Sequence, residues 1–189
     1  MRLFTMQIID FPADNKEIIQ QAATLLVEGF KEHWPDAWPD MDTALKEVQE
    51  AFESGRINRL AVDKDRAVLG WIGGISQYNG HTWELHPLVV RPDHQGQGIG
   101  RALVTDLERQ VRERGGLTLY LGTDDEDNMT TLANTDLYPN IVQHIAQIKN
   151  LRGHPYEFYQ KLGYIIVGVI PDANGPGKPD IIMAKRVGE

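Results

Sequence analysis

Between Thr82 and Arg112 the hydropathy pattern changes period, and the change is made across a loop that carries three glycines. Residues 82–90 alternate as a strand does, and the alternation puts Glu84, His86 and Leu88 on one side. From Ile99 onward, Ile99, Leu103, Leu107 and Val111 recur every four residues, with Arg101, Thr105, Glu108, Arg109 and Arg112 interleaved. That spacing predicts an amphipathic helix with one buried and one wet face. Gly96, Gly98 and Gly100 stand between the two elements, where they let the backbone come close to a ligand and take dihedrals that other residues resist. Successive N–H groups can then converge on phosphate oxygens at a helix N-terminus, which predicts a pyrophosphate cradle. A glycine loop can also be a plain strand-to-helix turn, but a turn needs one glycine rather than three.

Two better-known glycine loops fail on spacing. A dinucleotide fingerprint starting at Gly96 needs a glycine where Arg101 stands, and no Gly-Lys-Ser/Thr triplet follows to make a P-loop. What fits is Q-x-x-G-x-G on Gln95, Gly98 and Gly100, preceded by Arg91-Pro92. This run resembles the acetyl-CoA loop of the GNAT (GCN5-related N-acetyltransferase) superfamily. The resemblance implies that acetyl-CoA is held by Gln95, Gly96, Gln97, Gly98, Ile99, Gly100 and Arg101, with backbone groups of Leu88 and Val90.

Composition sets the outer bounds. With 189 residues, 41% apolar and 24% charged, the chain is long enough for one well-buried domain and short for two, and no linker, repeat or low-complexity tract divides it. We therefore expect a single domain over 1–189, with Met1 to Thr5 as a start-site extension before a first strand at Gln7. No apolar stretch reaches signal-peptide or membrane-span length, so a cytoplasmic protein with no membrane partner is expected. The absence of cysteine excludes a cysteine acyl-enzyme and a thiolate zinc site. His33, His81, His94, His144 and His154 form no ligand spacing on a shared helix face, so no metal is expected. A net charge of −8 argues against nucleic acid and favours a cationic substrate.

Read coarsely, the order of elements is mixed. A short strand at Gln7 to Asp10 precedes a helix from Lys16 to Phe30, with Asp14 and Glu17 at capping-box spacing. A second helix is expected over Thr43 to Glu53, then a hairpin of Arg59 to Asp63 and Ala67 to Ser76 about Lys64-Asp65-Arg66. After the glycine loop and its helix come a strand at Leu117 to Gly122, helices near Ile141 to Lys149 and Pro155 to Leu162, and strands at Tyr164 to Ile170 and Asp180 to Lys185. The fold class is α/β of the α+β type, a mixed, mostly antiparallel central sheet with flanking helices. It is also the acetyltransferase succession. Residues 83–90, 119–125, 130–138, 154–164 and 178–185 together are similar to aminoglycoside 6'-N-acetyltransferases of the chromosomal, dimeric kind. That similarity implies a homodimer acting on an aminoglycoside, and hence a part in antibiotic resistance. The glycine loop departs from the dimeric kind, where it is often glycine-poor.

Acetyl transfer from a thioester to an amine needs a base for the amine, donors for the developing oxyanion and an acid for the departing thiolate. Glu84, close to the strand end that leads into the loop, can take the proton through water, or can be an ordinary polar strand residue. His86 can tune that base or orient the water, or serve only as a hydrogen-bonded structural residue. Pro87 has no N–H to give a ladder, so it predicts a bulge or a parting of the strand. In the superfamily that parting admits the pantetheine arm, and the N–H of Leu88 polarises the thioester carbonyl. By the same resemblance Tyr159 is the acid, a phenol with an ordinary pKa of about 10 facing a thiol of about 8.5; packed aromatic core is the competing reading.

The run Asp124-Asp-Glu-Asp127 can be a solvated loop or a seat for several ammonium groups. Resemblance points to Asp127 as a substrate contact, with Glu157 a weaker candidate. Trp34 can supply an apolar wall or cation–π face, or be core. The sequence thus predicts an N-acetyltransferase moving acetyl from acetyl-CoA to a primary amine by direct attack in a ternary complex, the 6'-amine of an aminoglycoside first. Another polyamine, a small amine, a protein lysine or a non-catalytic CoA-binding sensor remain alternatives.

Overall fold

The computed structural model describes residues 6–188, so the expectation for Met1 to Thr5 lies outside the described residues. The chain divides into two compact units, one running to Leu117 and taking in Val187 and Gly188, the other Thr118–Arg186.

The first unit is a four-stranded antiparallel sheet in the order β1 (Gln7–Asp10), β2 (Arg56–Val62), β3 (Val68–Gln77), β4 (Thr82–Val90). Three helices flank it: α1 (Lys16–Phe30), α2 (Met41–Glu50) and α3 (Ile99–Glu113). Ile18, Ala22, Leu25 and Leu26 of α1 and Ala44 and Val48 of α2 bury against Leu60, Trp71 and Val89 from the sheet. Burial of the isoleucine, leucine and valine side chains contributes about 1.5–3 kcal/mol each and outweighs the weak helix propensity of the β-branched positions. The other face of β3 is built from Gly70, Ile72 and Gly74. A Cβ at Gly70 would sit 2.9 Å from a Leu103 methyl, and one at Gly74 would sit 2.8 Å from a Leu107 methyl. These two positions are therefore the seats for the leucines of α3, and they set how closely that helix can lie on the sheet.

Several boundaries differ from expectation for identifiable reasons. The cap of α1 is Asn15, whose side chain accepts from Glu17 N and Ile18 N, both at 3.1 Å, in place of the expected Asp14. Helix α2 starts two residues before Thr43 because Asp40 caps it, accepting from Thr43 N at 2.9 Å. β2 begins at Arg56, earlier than expected, since its antiparallel pairing with β3 continues to Ile75. Glu108, assigned to the wet face of α3, is buried. Polar α3 residues also reach inward: Arg59 of β2 ion-pairs with Asp106 at 2.6 Å and with Asp10, and its side chain is only 10% exposed, which accounts for a charged position in an otherwise apolar strand face.

The second unit is a three-stranded antiparallel sheet, β5 (Thr118–Asp124), β7 (Asp180–Arg186), β6 (Ile165–Ile170) in spatial order. It carries two short helices, α4 (Ile141–Ala146) and α5 (Tyr156–Gln160). Helix α4 stops short of the expected Lys149 because the chain is captured there. Lys149 N donates to Thr131 Oγ1 at 3.0 Å and Asn150 bridges to Thr130. Among the described residues, no helix is long and apolar enough to cross a membrane.

Candidate functional site

The predicted irregularity at Pro87 is present. Ile72 pairs with Leu88 and Gly74 with Leu85, so β4 has one more residue than β3 across this stretch, which is a bulge. The extra residue shifts the alternation. Glu84, opposite Ile75, and His86 remain on the face of α1 and α2, but Leu88, opposite Ile72, is carried to the face of α3. The expectation that the Glu84, His86 and Leu88 side chains share one side is therefore corrected.

Glu84 is half-buried and receives Gln77 Nε2 at 3.4 Å. His86 stands next along the face with its Nε2 3.6 Å from a carboxylate oxygen of Glu47, on α2. The Glu47 side chain is only 15% exposed. Its carboxyl is held below the usual range, first by the hydrogen bond from His86, with the Arg56 charge and the bond from Trp38 adding to it, against the opposing effect of burial. The Trp38 ring lies 5.9 Å from the His86 ring and 4.6 Å from Phe30. Trp34 instead packs edge-on to Phe30 at 5.9 Å and to His33 at 5.5 Å. Glu47 and Trp38 were not foreseen. No local spacing signals them, since only the fold of α1 and α2 over the sheet brings them to β4.

β4 leads into the loop. Gln95 Nε2 donates to Val90 O at 3.2 Å, and Arg91 and His94 both bind the Asp93 carboxylate, at 2.7 and 2.8 Å. Hydrogen bonds hold the Asp93 carboxyl down to about 2, that from Arg91 first and then that from His94. The loop is thus braced on its strand side, leaving the backbone of Gly96–Gly98 outermost. Gly96 has φ 74° and Gly98 φ 88°, in the left-handed region, and no atom lies within 4 Å of where a Cβ would be at either. Their requirement is conformational, not steric. Gly98 is also the N-cap of α3 and offers no side-chain cap, so Ile99, Gly100 and Arg101 begin the helix with N–H groups that side chains leave uncapped. A groove of about 640 Å³ starts at Gly98 and Arg101 and follows α3 past Thr105 to Arg112. An uncapped helix end, open space over two left-handed glycines and a braced strand side have the chemistry to hold a pyrophosphate group, and they lie within the predicted run Gln95, Gly96, Gln97, Gly98, Ile99, Gly100 and Arg101.

In the second unit, the acidic run does not act as one surface. Asp125 is fully buried and accepts from Met129 N at 2.7 Å and Thr130 N at 2.8 Å, closing the loop after β5. The expectation that it faces an ammonium group is corrected: its lone pairs belong to the backbone. Glu126 pairs with Lys178 at 3.5 Å, Asp124 accepts from Asn174, and Asp127 is 46% exposed beside Arg152 at 3.9 Å. Asp127 and, on α5, half-buried Glu157 remain accessible to a solute. Tyr159 of α5 is buried, with its ring 5.0 Å from Phe158 and 5.7 Å from Tyr164. Burial pushes its phenol well above the ordinary tyrosine value, so it stays protonated and is a weaker acid than a free phenol. Among the described residues, no group of three or more His, Cys, Asp or Glu is placed to hold a metal ion.

Residues 19–133, more than half of the chain, match the model of the Acetyltransferase (GNAT) family. A crystal structure of an aminoglycoside 6'-N-acetyltransferase complexed with coenzyme A is 47% identical, with a TM-score of 0.87, over 96% of this chain and 97% of that one. The aminoglycoside 6'-N-acetyltransferase of Enterococcus faecium is 48% identical over the same shares, with a TM-score of 0.85. The chain has the fold of these proteins, seven strands with flanking helices, as the order of elements led us to expect. An acetyltransferase of Yersinia enterocolitica is 30% identical over 82 residues, 43% of this chain, and the match spans only 52% of that relative.

Proposed function

This chain belongs to the acetyltransferase (GNAT) family and is an acetyl-CoA-dependent N-acetyltransferase, and we propose that its acceptor is the 6'-amine of an aminoglycoside. The cradle at Gly96–Arg101 is the observation that supports cofactor use in this chain's own residues. The acceptor is supported by the identity with aminoglycoside 6'-N-acetyltransferases over nearly the full length of both chains. In this reading the whole chain is one acetyltransferase domain, cytoplasmic and homodimeric. The dimer is supported by β6, an edge strand that exposes Ile165, Val167 and Ile170 at 65%, 56% and 51%. Resistance to the drug follows chemically, because an amide lacks the cation that the free amine carries.

We assign roles as follows. Backbone N–H groups of Gln97 to Arg101 bind the pyrophosphate, with Gln95 and Gly96 shaping the loop, and backbone groups of Leu88 and Val90 take the pantetheine arm. Bound acetyl-CoA supplies the acetyl group as a thioester. Glu84 accepts, through water, the proton that the substrate ammonium must lose before its nitrogen can attack. The N–H of Leu88 donates to the carbonyl oxygen as negative charge builds there. Tyr159 donates its O–H to the departing sulfur; its raised pKa makes hydrogen-bond donation, with full transfer only as the bond to sulfur breaks, the role that fits it. Asp127 and Glu157 attract further ammonium groups of the sugar, and Trp34 forms an apolar wall.

The test is acetyl-CoA consumption with kanamycin-type sugars, spermidine, a simple monoamine and a lysine peptide in one assay. The expected order of kcat/KM places the 6'-amino sugars first. Acetylation of the peptide or spermidine in preference to every sugar would replace the acceptor, and no turnover with any amine would leave a CoA-binding sensor.

A further inference from the structure

On β4, two residues from Glu84 and on the same face, His86 meets a half-buried carboxylate from another element. Glu47 of α2 lies 3.6 Å from its Nε2, the Trp38 indole shares that carboxylate, and Trp38 is itself wedged on Phe30. An ionised carboxylate can only accept, so a neutral imidazole that turns Nε2–H toward Glu47 at this 3.6 Å approach leaves the lone pair on Nδ1. The His86 side chain is 42% exposed, so solute or water can reach the ring. We propose that Glu47 is a positioning residue that holds His86 as the Nε2–H tautomer, so that Nδ1 can receive the second proton, the one that the acceptor nitrogen must lose once it has attacked. The step balances without a further reactant. After attack the nitrogen carries a positive charge; one of its N–H bonds breaks, the electron pair stays on nitrogen, and the proton passes through water to Nδ1, giving an imidazolium whose charge Glu47 offsets. Glu84 and His86 then act on one side of the strand as first and second proton acceptors, and the role of His86 depends on a residue that never touches substrate. Arg56 of β2 approaches the same carboxylate, which keeps Glu47 ionised while it serves the ring.

This rests on the acetyl-transfer reading and is tested partly apart from it. In nitrogen-15 spectra of the histidine side chains, the parent is expected to show His86 as the Nε2–H tautomer, and Glu47→Gln to show a mixture. Kinetically, Glu47→Gln is expected to lower kcat by about tenfold to a hundredfold, the range for an orienting partner of an imidazole, while KM for acetyl-CoA changes less than about twofold. Added to His86→Gln, it should cause no further loss of kcat, because Glu47 acts through that ring. A melting temperature within a few degrees of the parent separates this from a folding defect. The proposal is overturned by an Nδ1–H tautomer in the parent, by parental kcat in Glu47→Gln, or by additive losses in the double variant. If no amine at all is acetylated, the proposed function fails with it while the tautomer measurement still decides the pairing itself.

Discussion

Gly98 joins two demands at one residue: a φ of 88° and a helix end with no side-chain cap. Valine there meets no atom, so its cost is conformational, about 1–2 kcal/mol for an L-residue in the left-handed region, and the loop is expected to leave that conformation. Gly98→Val should therefore weaken acetyl-CoA binding by about tenfold or more in calorimetry while the core stays folded. Unchanged affinity would remove the cradle from this loop. The acidic run separates in the same manner. Asp125→Asn loses one of two buried acceptor oxygens and should cost about 1–3 kcal/mol in thermal unfolding with little change in discrimination among amines. Asp127→Asn should do the reverse, raising KM more for a tetra-amine sugar than for a monoamine, and a salt series should mimic it. Equal effects of the two variants on stability and on KM would contradict the separation.

At the scale of elements, α3 and β3 depend on each other through two missing side chains. Gly74→Val would put methyl groups against Leu107 and the Trp83 ring, where a Cβ alone already falls 2.8 Å and 3.6 Å away. Overpacking of this sort costs about 1–3 kcal/mol, and α3 must shift with the loop at its N-terminus. Differential scanning calorimetry should show a lower melting temperature. Adding Leu107→Ala should recover part of it, although that change alone in a filled core costs about 2–5 kcal/mol. If the double variant is no better than the sum of the singles, Gly74 is not the seat of Leu107. The bulge in β4 belongs to this scale too. Proline in the strand pattern was enough to expect it, but the change of face it imposes on Leu88 follows only from the observed register.

For the whole molecule, assembly and acid response are the measurable properties. If the apolar edge of β6 is the dimer contact, Ile165→Lys with Val167→Lys should convert a dimer into a monomer in light scattering. A parent that is monomeric at every concentration would dispose of the dimer. His154 supplies the pH dependence. It is 1% exposed, its Nε2 lies 3.1 Å from Asp124 O and its Nδ1 accepts from Tyr156 N at 3.2 Å, so both ring nitrogens are committed in the neutral form. Desolvation lowers its pKa from the usual 6.5, against the raising effects of the Asp124 carbonyl and the Asp125 and Asp124 charges. The unfolded chain therefore takes up a proton below about pH 6.5 that the folded chain refuses, so its contribution to stability is intact above that pH and falls as the pH drops toward the folded value. Melting temperatures from pH 8 to 5 should decline in the parent and decline less in His154→Gln; parallel curves would assign the acid response to other groups.

The sequence by itself determined the elements and the chemistry that depends on neighbours in the chain. The period change across Gly96–Gly100 identified the strand, the loop and the helix, and most boundaries came within a few residues, because apolar periodicity and glycine dihedrals are local properties. Caps went to Asn15 and Asp40 because a cap is chosen by the geometry of one turn, which composition leaves open between adjacent polar residues. Only the tertiary structure decided which polar groups are spent on the protein itself. Asp125, Glu108 and Arg59 look like surface charges in one dimension and are buried in three. Glu47 and Trp38 stand far from His86 along the chain and meet it only because α1 and α2 pack across the sheet, where burial of Ile18, Leu26 and Val48, not any property of the pair, fixes their distance.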